Sequence, residues 1–366
     1  MTPVAAHPLL GVLLHAVGAA FAATCYTPQK RVRRWSWQTY WLTQAAFCWF
    51  LLPILGAVLT IPDLAAVLRE APRDAMRNSF LLGAAYGIGG TAFGIAIRHI
   101  GFSLTYAIAV GLSSVLGTLI PPLVHGTLGT TLGKPGAGWI VAGIGVGALG
   151  IAVAGLAGRL KEKDLTARSA GGEFSLATGL ALSLLAGVLS AVYGFALDAG
   201  QPIADTAVRH GAGMWQGNVV YLFSNSGAFL TTTVYCLFLH QKDKSLGELW
   251  TLQAGPERAS LPVNWAMAML TGLFWYSQFF FYNLGHVRMG HYKFTSWTIH
   301  MILLVLFSNV VGVVLTEWRG CRVLTHRIVR VALAILVGAV LLLTYGNYQG
   351  EAAEKSAAAA PKEMTK

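Results

Sequence analysis

The stretch at residues 272–301 (GLFWYSQFFFYNLGHVRMGHYKFTSWTIHM) combines an apolar background with side chains that can bind a small polar molecule. Its aromatic and polar members are Trp275, Tyr276, Gln278, Tyr282, Asn283, His286, Ser296, Trp297 and His300. Ligand pockets typically have apolar walls with a few placed polar groups. Aromatic rings pack on the C–H faces of sugars, and amide, hydroxyl and imidazole groups bond to their hydroxyls. We predict that this stretch forms half of the substrate site of a transporter.

One face of the helix predicted around residue 278 carries most of these rings. Trp275, Phe279 and Tyr282 are spaced i, i+4 and i+7, which places them on a single helical face, and Gln278 lies beside it. We predict that these four residues and Trp297 bind substrate. The alternative is an aromatic belt at the membrane interface, where Trp and Tyr are enriched, and this alternative stays open for Tyr282.

Two histidines are candidates for proton coupling. His15 and His300 each lie about six residues inside a predicted span, which is roughly 9 Å deep at 1.5 Å per residue. Ionisable groups inside a membrane usually face the bundle interior and often mark proton paths, and the ordinary pKa of His lies near the working pH. The alternative is a neutral His that bridges two helices through hydrogen bonds.

Acidic side chains are scarce inside the predicted spans. Asp198 and Glu317 lie at span ends, where a solvated or paired charge is the simpler interpretation, so they are second-choice proton carriers. We find no pair of in-span carboxylates, no Ser/His/Asp arrangement and no metal-like spacing of the four cysteines. The sequence therefore predicts no catalytic residues, no metal and no cofactor, with the proton as coupling ion, and argues against an enzyme.

Membrane-spanning helices must position these side chains. Of 366 residues, 55% are hydrophobic and 11% charged, whereas soluble domains carry about 25% charged residues. Apolar blocks of about 18 to 24 residues match a hydrocarbon thickness of about 30 Å. We predict an all-α polytopic membrane protein with about ten transmembrane helices, the first of them uncleaved. The predicted spans are 8–28, 39–60, 79–97, 102–124, 138–158, 175–197, 216–239, 263–285, 294–315 and 328–346.

Basic residues predict the orientation of these helices. Lys and Arg concentrate in alternate loops, most densely in KRVRR (residues 30–34), which places that loop in the cytoplasm and both termini outside. The net charge of +11 is thereby explained without nucleic acid as a partner. The same cluster could also contact anionic lipid head groups.

The two halves of the chain show traces of an internal repeat. Gly83, Tyr86, Phe93 and Gly101 match Gly272, Trp275, Tyr282 and Gly290 in one register. Five spans in each half would give the halves opposite orientations, and such inverted repeats bind substrate near the membrane midplane. We predict a first repeat at 1–160, a cytoplasmic linker at 161–174, a second repeat at 175–348 and a disordered polar tail at 349–366. Further predicted substrate contacts inside the spans are Tyr26, Tyr86 and Tyr193.

Several segments resemble a known family of transporters. They are LHAVGAAFAATCYTPQKRVRRWSWQTYW (14–41), WYSQFFFYNLGH (275–286), SWTIHM (296–301) and VGVVLTEW (311–318). Their order over nearly the whole chain is similar to that in the bacterial L-rhamnose–proton symporter family, of the drug/metabolite transporter superfamily. The resemblance implies ten helices in two inverted five-helix repeats, and proton-coupled uptake of L-rhamnose or a related neutral sugar across the bacterial inner membrane, with periplasmic termini.

Other functions stay open at this point. An uncoupled facilitator or a transporter of a different small metabolite would have the same architecture. An integral membrane enzyme is less consistent with the residues, and a receptor would need a folded domain outside the membrane, for which no loop is long enough. The expected partners are a small neutral sugar, protons and membrane lipid, and no oligomeric state is predicted.

Overall fold

The protein is a bundle of long α-helices. The computed structural model describes residues 5–100, 102–124, 126–166, 175–252, 259–290 and 293–359. The long helical segments are α1 (Pro8–Thr24), α2 and α3 (Trp37–Ala45 and Leu52–Thr60), α5 (Arg73–Ile100), α6 (Phe102–Val124), α8 (Ala137–Thr166), α9 (Leu176–Ala199), α11 (Tyr221–Asp243), α12 (Leu261–His286), α13 (Thr295–Val314) and α14 (Val323–Ala359). Three short helices were not predicted: α4 (Leu64–Glu70), α7 (Leu128–Leu132) and α10 (Gln201–Arg209).

Nine segments of the described chain are long and apolar enough to cross a membrane, so the protein is a multi-pass membrane protein. The predicted span 263–285 corresponds to α12, which is long enough but is not among the nine. Its buried face carries Asn264, Gln278 and Asn283 in place of aliphatic residues, which lowers its hydropathy. This helix is sheltered by its neighbours α1 and α2, as expected for a segment that contributes polar groups to a site.

The second predicted span is continuous but irregular. Between α2 and α3, residues Ala46–Leu51 form a π-helical turn, and Leu52 N–H donates to the carbonyl of Phe47. Pro53 follows at once. Proline lacks an N–H group and its ring crowds the carbonyl four residues earlier, so widening the helix there relieves the clash.

Helices of the two halves pack in matching pairs. Helix α5 of the first half contacts α9 and α11 of the second half, and α12 of the second half contacts α1 and α2 of the first half. A Cβ on Gly83 of α5 would lie 1.9 Å from the Ser224 carbonyl oxygen of α11, and a Cβ on Gly272 of α12 would lie 2.8 Å from the Gln44 carbonyl oxygen of α2. Gly83 and Gly272, which the predicted repeat aligns, thus both lie against the backbone of a helix from the other half of the chain.

Two predicted boundaries differ from the structure. Helix α8 extends to Thr166, into the predicted linker 161–174, because KEKDL favours helix and Asp164 accepts hydrogen bonds from Arg322 and Thr325. Helix α14 extends to Ala359 although residues 349–366 were predicted to be disordered. Its Ala-rich sequence has strong helix propensity, and Lys355 pairs with Glu351 one turn away at 3.6 Å. Residues 167–174 and 360–366 lie outside the described residues.

Candidate substrate and proton site

A cavity in the middle of the bundle lies between α1, α5, α6, α9, α12 and α13. Its volume of about 90 Å³ holds several water molecules, since one needs roughly 10–15 Å³ on the same measure. Seven of the predicted site residues line it: Tyr86, Trp275, Gln278, Phe279, Tyr282, Trp297 and His300. Helix α12 contributes four of them. The i, i+4 and i+7 spacing of Trp275, Phe279 and Tyr282 places these three rings on one helical face, and Gln278 lies beside that face.

The polar groups of this cavity lie on two of its sides. On one side, Nε2 of His300 is 3.5 Å from Oε1 of Gln278, a long contact whose donor depends on the tautomer of the imidazole. On the other side, Trp297 Nε1 donates to the carbonyl oxygen of Ser113 at 3.1 Å and to its hydroxyl at 3.2 Å. The Ser113 hydroxyl in turn donates to that of Ser190 at 3.1 Å, and Ser190 lines the cavity.

His15 lies behind the cavity wall instead of in it. Its ring is fully buried, 5.0 Å from the ring of Tyr282 and 6.0 Å from that of His300 between centroids. Neither ring nitrogen has a hydrogen-bond partner among the described residues. A Cβ on Gly285 would be 3.0 Å from His15 Nε2, so this glycine of α12 makes the room that the imidazole occupies.

Tyr26 and Tyr193 support the lining residues from a second layer. The ring of Tyr26 meets that of Trp275 edge to face at 5.2 Å. The ring of Tyr193 lies 4.4 Å from that of Tyr86 and 5.1 Å from that of Phe279, and its hydroxyl donates to Asn225 Oδ1 at 2.5 Å. Both tyrosines therefore hold rings that face the cavity.

Pairs of aromatic rings close the cavity at both ends. At one end Tyr282 and Trp297 meet edge to face at 5.8 Å, and at the other end Phe93 and Tyr106 meet edge to face at 5.0 Å. Tyr282 is buried in this pair, so it is a cavity residue and not a belt residue. Sequence reasoning missed Tyr106, whose one signal is that it is the only tyrosine in its predicted span 102–124.

Beyond Tyr282 and Trp297 lies a larger cavity of about 390 Å³, which both residues also line. Its polar residues include Asp198, Asn283, His286 and Lys293. Asp198 is exposed in this space, at the end of α9. His286 bonds through Nδ1 to the hydroxyl of Ser296 at 3.0 Å, and its ring stacks on Tyr282 at 5.8 Å.

Beyond Tyr106, at the opposite end, lies a small cavity of about 50 Å³. Glu317 borders it and forms ion pairs with Lys30 at 2.5 Å and with Lys161 at 3.0 Å. Burial raises the pKa of the Glu317 carboxyl, but hydrogen bonds from Lys30 and Lys161 lower it more, so the pKa lies below its ordinary value. The second-choice proton carriers thus lie at opposite ends of the bundle, away from the central cavity.

No group of three or more His, Cys, Asp or Glu side chains in the described part of the chain could hold a metal ion. Cys25, Cys48 and Cys236 are buried as free thiols, and Cys321 is partly exposed. The central cavity instead offers aromatic faces, one amide, one imidazole and hydroxyls, a set suited to a neutral, hydroxyl-bearing molecule.

Residues 5–351 match the sequence profile of the L-rhamnose-proton symport protein family. The chain is 36% identical to an L-rhamnose-proton symporter of Cronobacter sakazakii over 85% of its own length and 89% of the relative. It is 32% identical to that of Mannheimia succiniciproducens, covering 92% and 98% of the two chains. For that of Yersinia pestis the identity is 33%, with 85% and 90% covered. The chain therefore belongs to the L-rhamnose-proton symport protein family, which is a family of transporters and not of enzymes.

Proposed function

We propose that this protein is a symporter that imports L-rhamnose, or a closely related neutral monosaccharide, together with protons across the bacterial inner membrane. Membership in the family and the names of its relatives support the substrate and the coupling ion. The observation that carries the proposal is the central cavity, where Gln278 and His300 lie beside aromatic rings in the middle of the membrane-spanning bundle.

The walls of the cavity fit a 6-deoxy sugar. Trp275, Phe279 and Tyr86 offer ring faces and edges for the C–H groups of the pyranose. Gln278 and Ser190 offer hydrogen bonds to its hydroxyls, and aliphatic side chains such as Val110 and Leu304 leave an apolar surface for the methyl group. Such a site discriminates chiefly through its few polar groups, because a buried polar group left unpaired costs more than a lost apolar contact.

His300 is the best-supported carrier of the coupled proton. It lines the cavity, faces Gln278 and lies beside His15, so protonation changes both the hydrogen bonds available to a sugar and the charge inside the bundle. A sugar hydroxyl that accepts from the imidazolium would offset part of the cost of burying that charge. His15, fully buried behind the wall, is suited to respond to the charge of His300 and not to contact sugar directly.

Alternating access between two inverted halves accounts for the three cavities. With both termini in the periplasm, the large cavity at Asp198 lies outside and the small one at Glu317 lies inside, so the structure corresponds to an outward-facing state. The transporter needs no cofactor in this mechanism. Membrane lipid surrounds it, and nucleic acid is not a partner.

Uptake of radiolabelled L-rhamnose into proteoliposomes tests the proposal. An imposed inward proton gradient should drive accumulation above the external concentration, and a protonophore should abolish accumulation while leaving exchange intact. Unlabelled L-rhamnose should compete better than L-fucose, L-lyxose or D-sugars. Equal uptake with and without the gradient would identify an uncoupled facilitator, and absence of L-rhamnose uptake would reject the proposed substrate.

A further inference from the structure

The small inner cavity continues the path that begins at the central cavity. Tyr106 lines both, so its ring lies between them. On α8, the small residues Ala154 and Gly155 line the inner cavity together with Lys161. A molecule that leaves the central cavity toward the inside therefore passes Tyr106 and enters this space.

The inner cavity contains buried polar groups that lack a partner in the described part of the chain. Trp318 is 4% exposed and its Nε1–H donates to no acceptor, and the hydroxyl of Ser308 is equally unpaired. Both residues line the cavity. Asn309, also in the lining, donates through its amide nitrogen to the Val305 carbonyl at 2.8 Å. Buried polar groups are normally paired, so this set indicates a polar ligand.

The charges around this cavity favour a neutral ligand. The two charged side chains in its lining, Lys161 and Glu317, pair with each other at 3.0 Å, and the Lys161 ammonium also lies 4.9 Å from the centre of the Trp318 ring. Lys30, which binds the other carboxylate oxygen of Glu317, is mostly exposed to solvent. The two charges thus neutralise each other, and the other polar groups that line the cavity carry no charge.

We propose that the inner cavity is a second, exit-side sugar subsite, in which Trp318 and Ser308 bind a neutral polyhydroxylated molecule after it passes Tyr106. This proposal rests on the proposed function and names a further part of the same transport path. Glu317 and its lysines would cover the subsite until the inside opens.

Initial rates of L-rhamnose uptake without a proton gradient test this subsite, measured in right-side-out vesicles and in inside-out vesicles. Trp318→Phe keeps an aromatic ring, although a smaller one, and removes the N–H donor. The half-saturating concentration should therefore rise about three- to tenfold at the inner face and stay unchanged at the outer face. Trp139→Phe, on the exposed surface beside Tyr345, is the matched control. Ser308→Ala is a second variant, because its hydroxyl has no protein partner to lose among the described residues.

Each result decides between the two proposals. A rise confined to the inner face in either variant supports the subsite. Unchanged half-saturation in both variants, or an equal rise at both faces, overturns the subsite while wild-type uptake leaves the proposed function intact. Failure of the wild-type vesicles to take up L-rhamnose would instead reject the proposed function.

Discussion

The imidazole of His300 on α13 faces the amide of Gln278 on α12, with 3.5 Å between Nε2 and Oε1, and both side chains line the central cavity. An imidazole, which can take up a proton, is thereby in contact with an amide suited to bind sugar. Binding of a proton and binding of a sugar are then thermodynamically linked, because each changes the hydrogen bonds available to the other.

Replacing His300 with Gln should uncouple transport. The amide can bond to sugar but cannot carry a proton, so gradient-driven accumulation of L-rhamnose should be lost while exchange of labelled for unlabelled sugar persists. His210→Gln, where the imidazole lies 2.9 Å from a carboxylate oxygen of Glu70 in α4, is the matched control and should accumulate sugar normally. Intact accumulation in both His15→Gln and His300→Gln would contradict a coupling role for either histidine.

Replacing Gln278 with Met should weaken sugar binding with little change in volume. Loss of one hydrogen bond should raise the half-saturating concentration for L-rhamnose about three- to tenfold, measured as initial uptake under a fixed proton gradient. Gln349→Met, where the amide bonds to Tyr345 on the surface, provides the control. An unchanged value for Gln278→Met would mean that the sugar binds elsewhere.

The ion pairs of Glu317 should keep the inner end closed over the physiological pH range. Since its folded-state pKa is lowered, the stabilisation is complete above the unfolded pKa of about 4.3 and is lost only as pH falls through the lower folded value. Maleimide labelling of a cysteine placed at Asn309, in a chain whose four cysteines are replaced, reports the access to this end. Divided by the rate of a free thiol at the same pH, because the thiolate is the reacting form, the labelling rate should be equally low from about pH 5 to pH 8.

Glu317→Gln should speed that labelling severalfold, because the neutral amide no longer holds Lys30 and Lys161. Asp198→Asn, in the outer cavity, should leave the labelling rate unchanged. If the cysteine in the chain that keeps Glu317 were labelled faster at about pH 5 than at higher pH, relative to a free thiol, Glu317 would titrate in the working range. It would then again be a candidate for proton transfer.

Replacing Gly83 with Ala should destabilise the protein by about 1–3 kcal/mol, because the new methyl group would overlap the Ser224 carbonyl. Gly145→Ala on α8 has open space around the new Cβ. The free energy of unfolding of this variant should rise by about 0.5–1 kcal/mol, because alanine has the higher helix propensity. Thermal unfolding in detergent measures both, and equal shifts in the two variants would contradict the close packing at Gly83.

Sequence reasoning placed the long helices and several residues that line the central cavity, because both depend on local patterns. The length of apolar blocks predicts spans, and the spacing of Trp275, Phe279 and Tyr282 predicts one shared face. The rotation of one helix against another is not encoded locally, so Tyr106 and Ser190 on α6 and α9 could not be assigned to the cavity beforehand.

The same limit explains the second-layer residues. Tyr26 and Tyr193 are aromatic and lie within the spans, as the cavity residues do, but their rings turn toward other rings. The inner cavity was not predicted, because it depends on a loop after α13 that returns Glu317 and Trp318 to α8. No single span carries a sign of that contact.

The backbone contacts at Gly83 and Gly272 have a mechanical consequence. At these two places the glycine has no side chain that is packed between the helices, so none has to be displaced when the two helices rotate against each other. Such places can serve as a pair of fulcrums, one in each half, about which the bundle rocks. The contacts that break during the conformational cycle would then be the ring pairs and ion pairs at the two ends of the molecule, while the helix contacts at the two glycines persist.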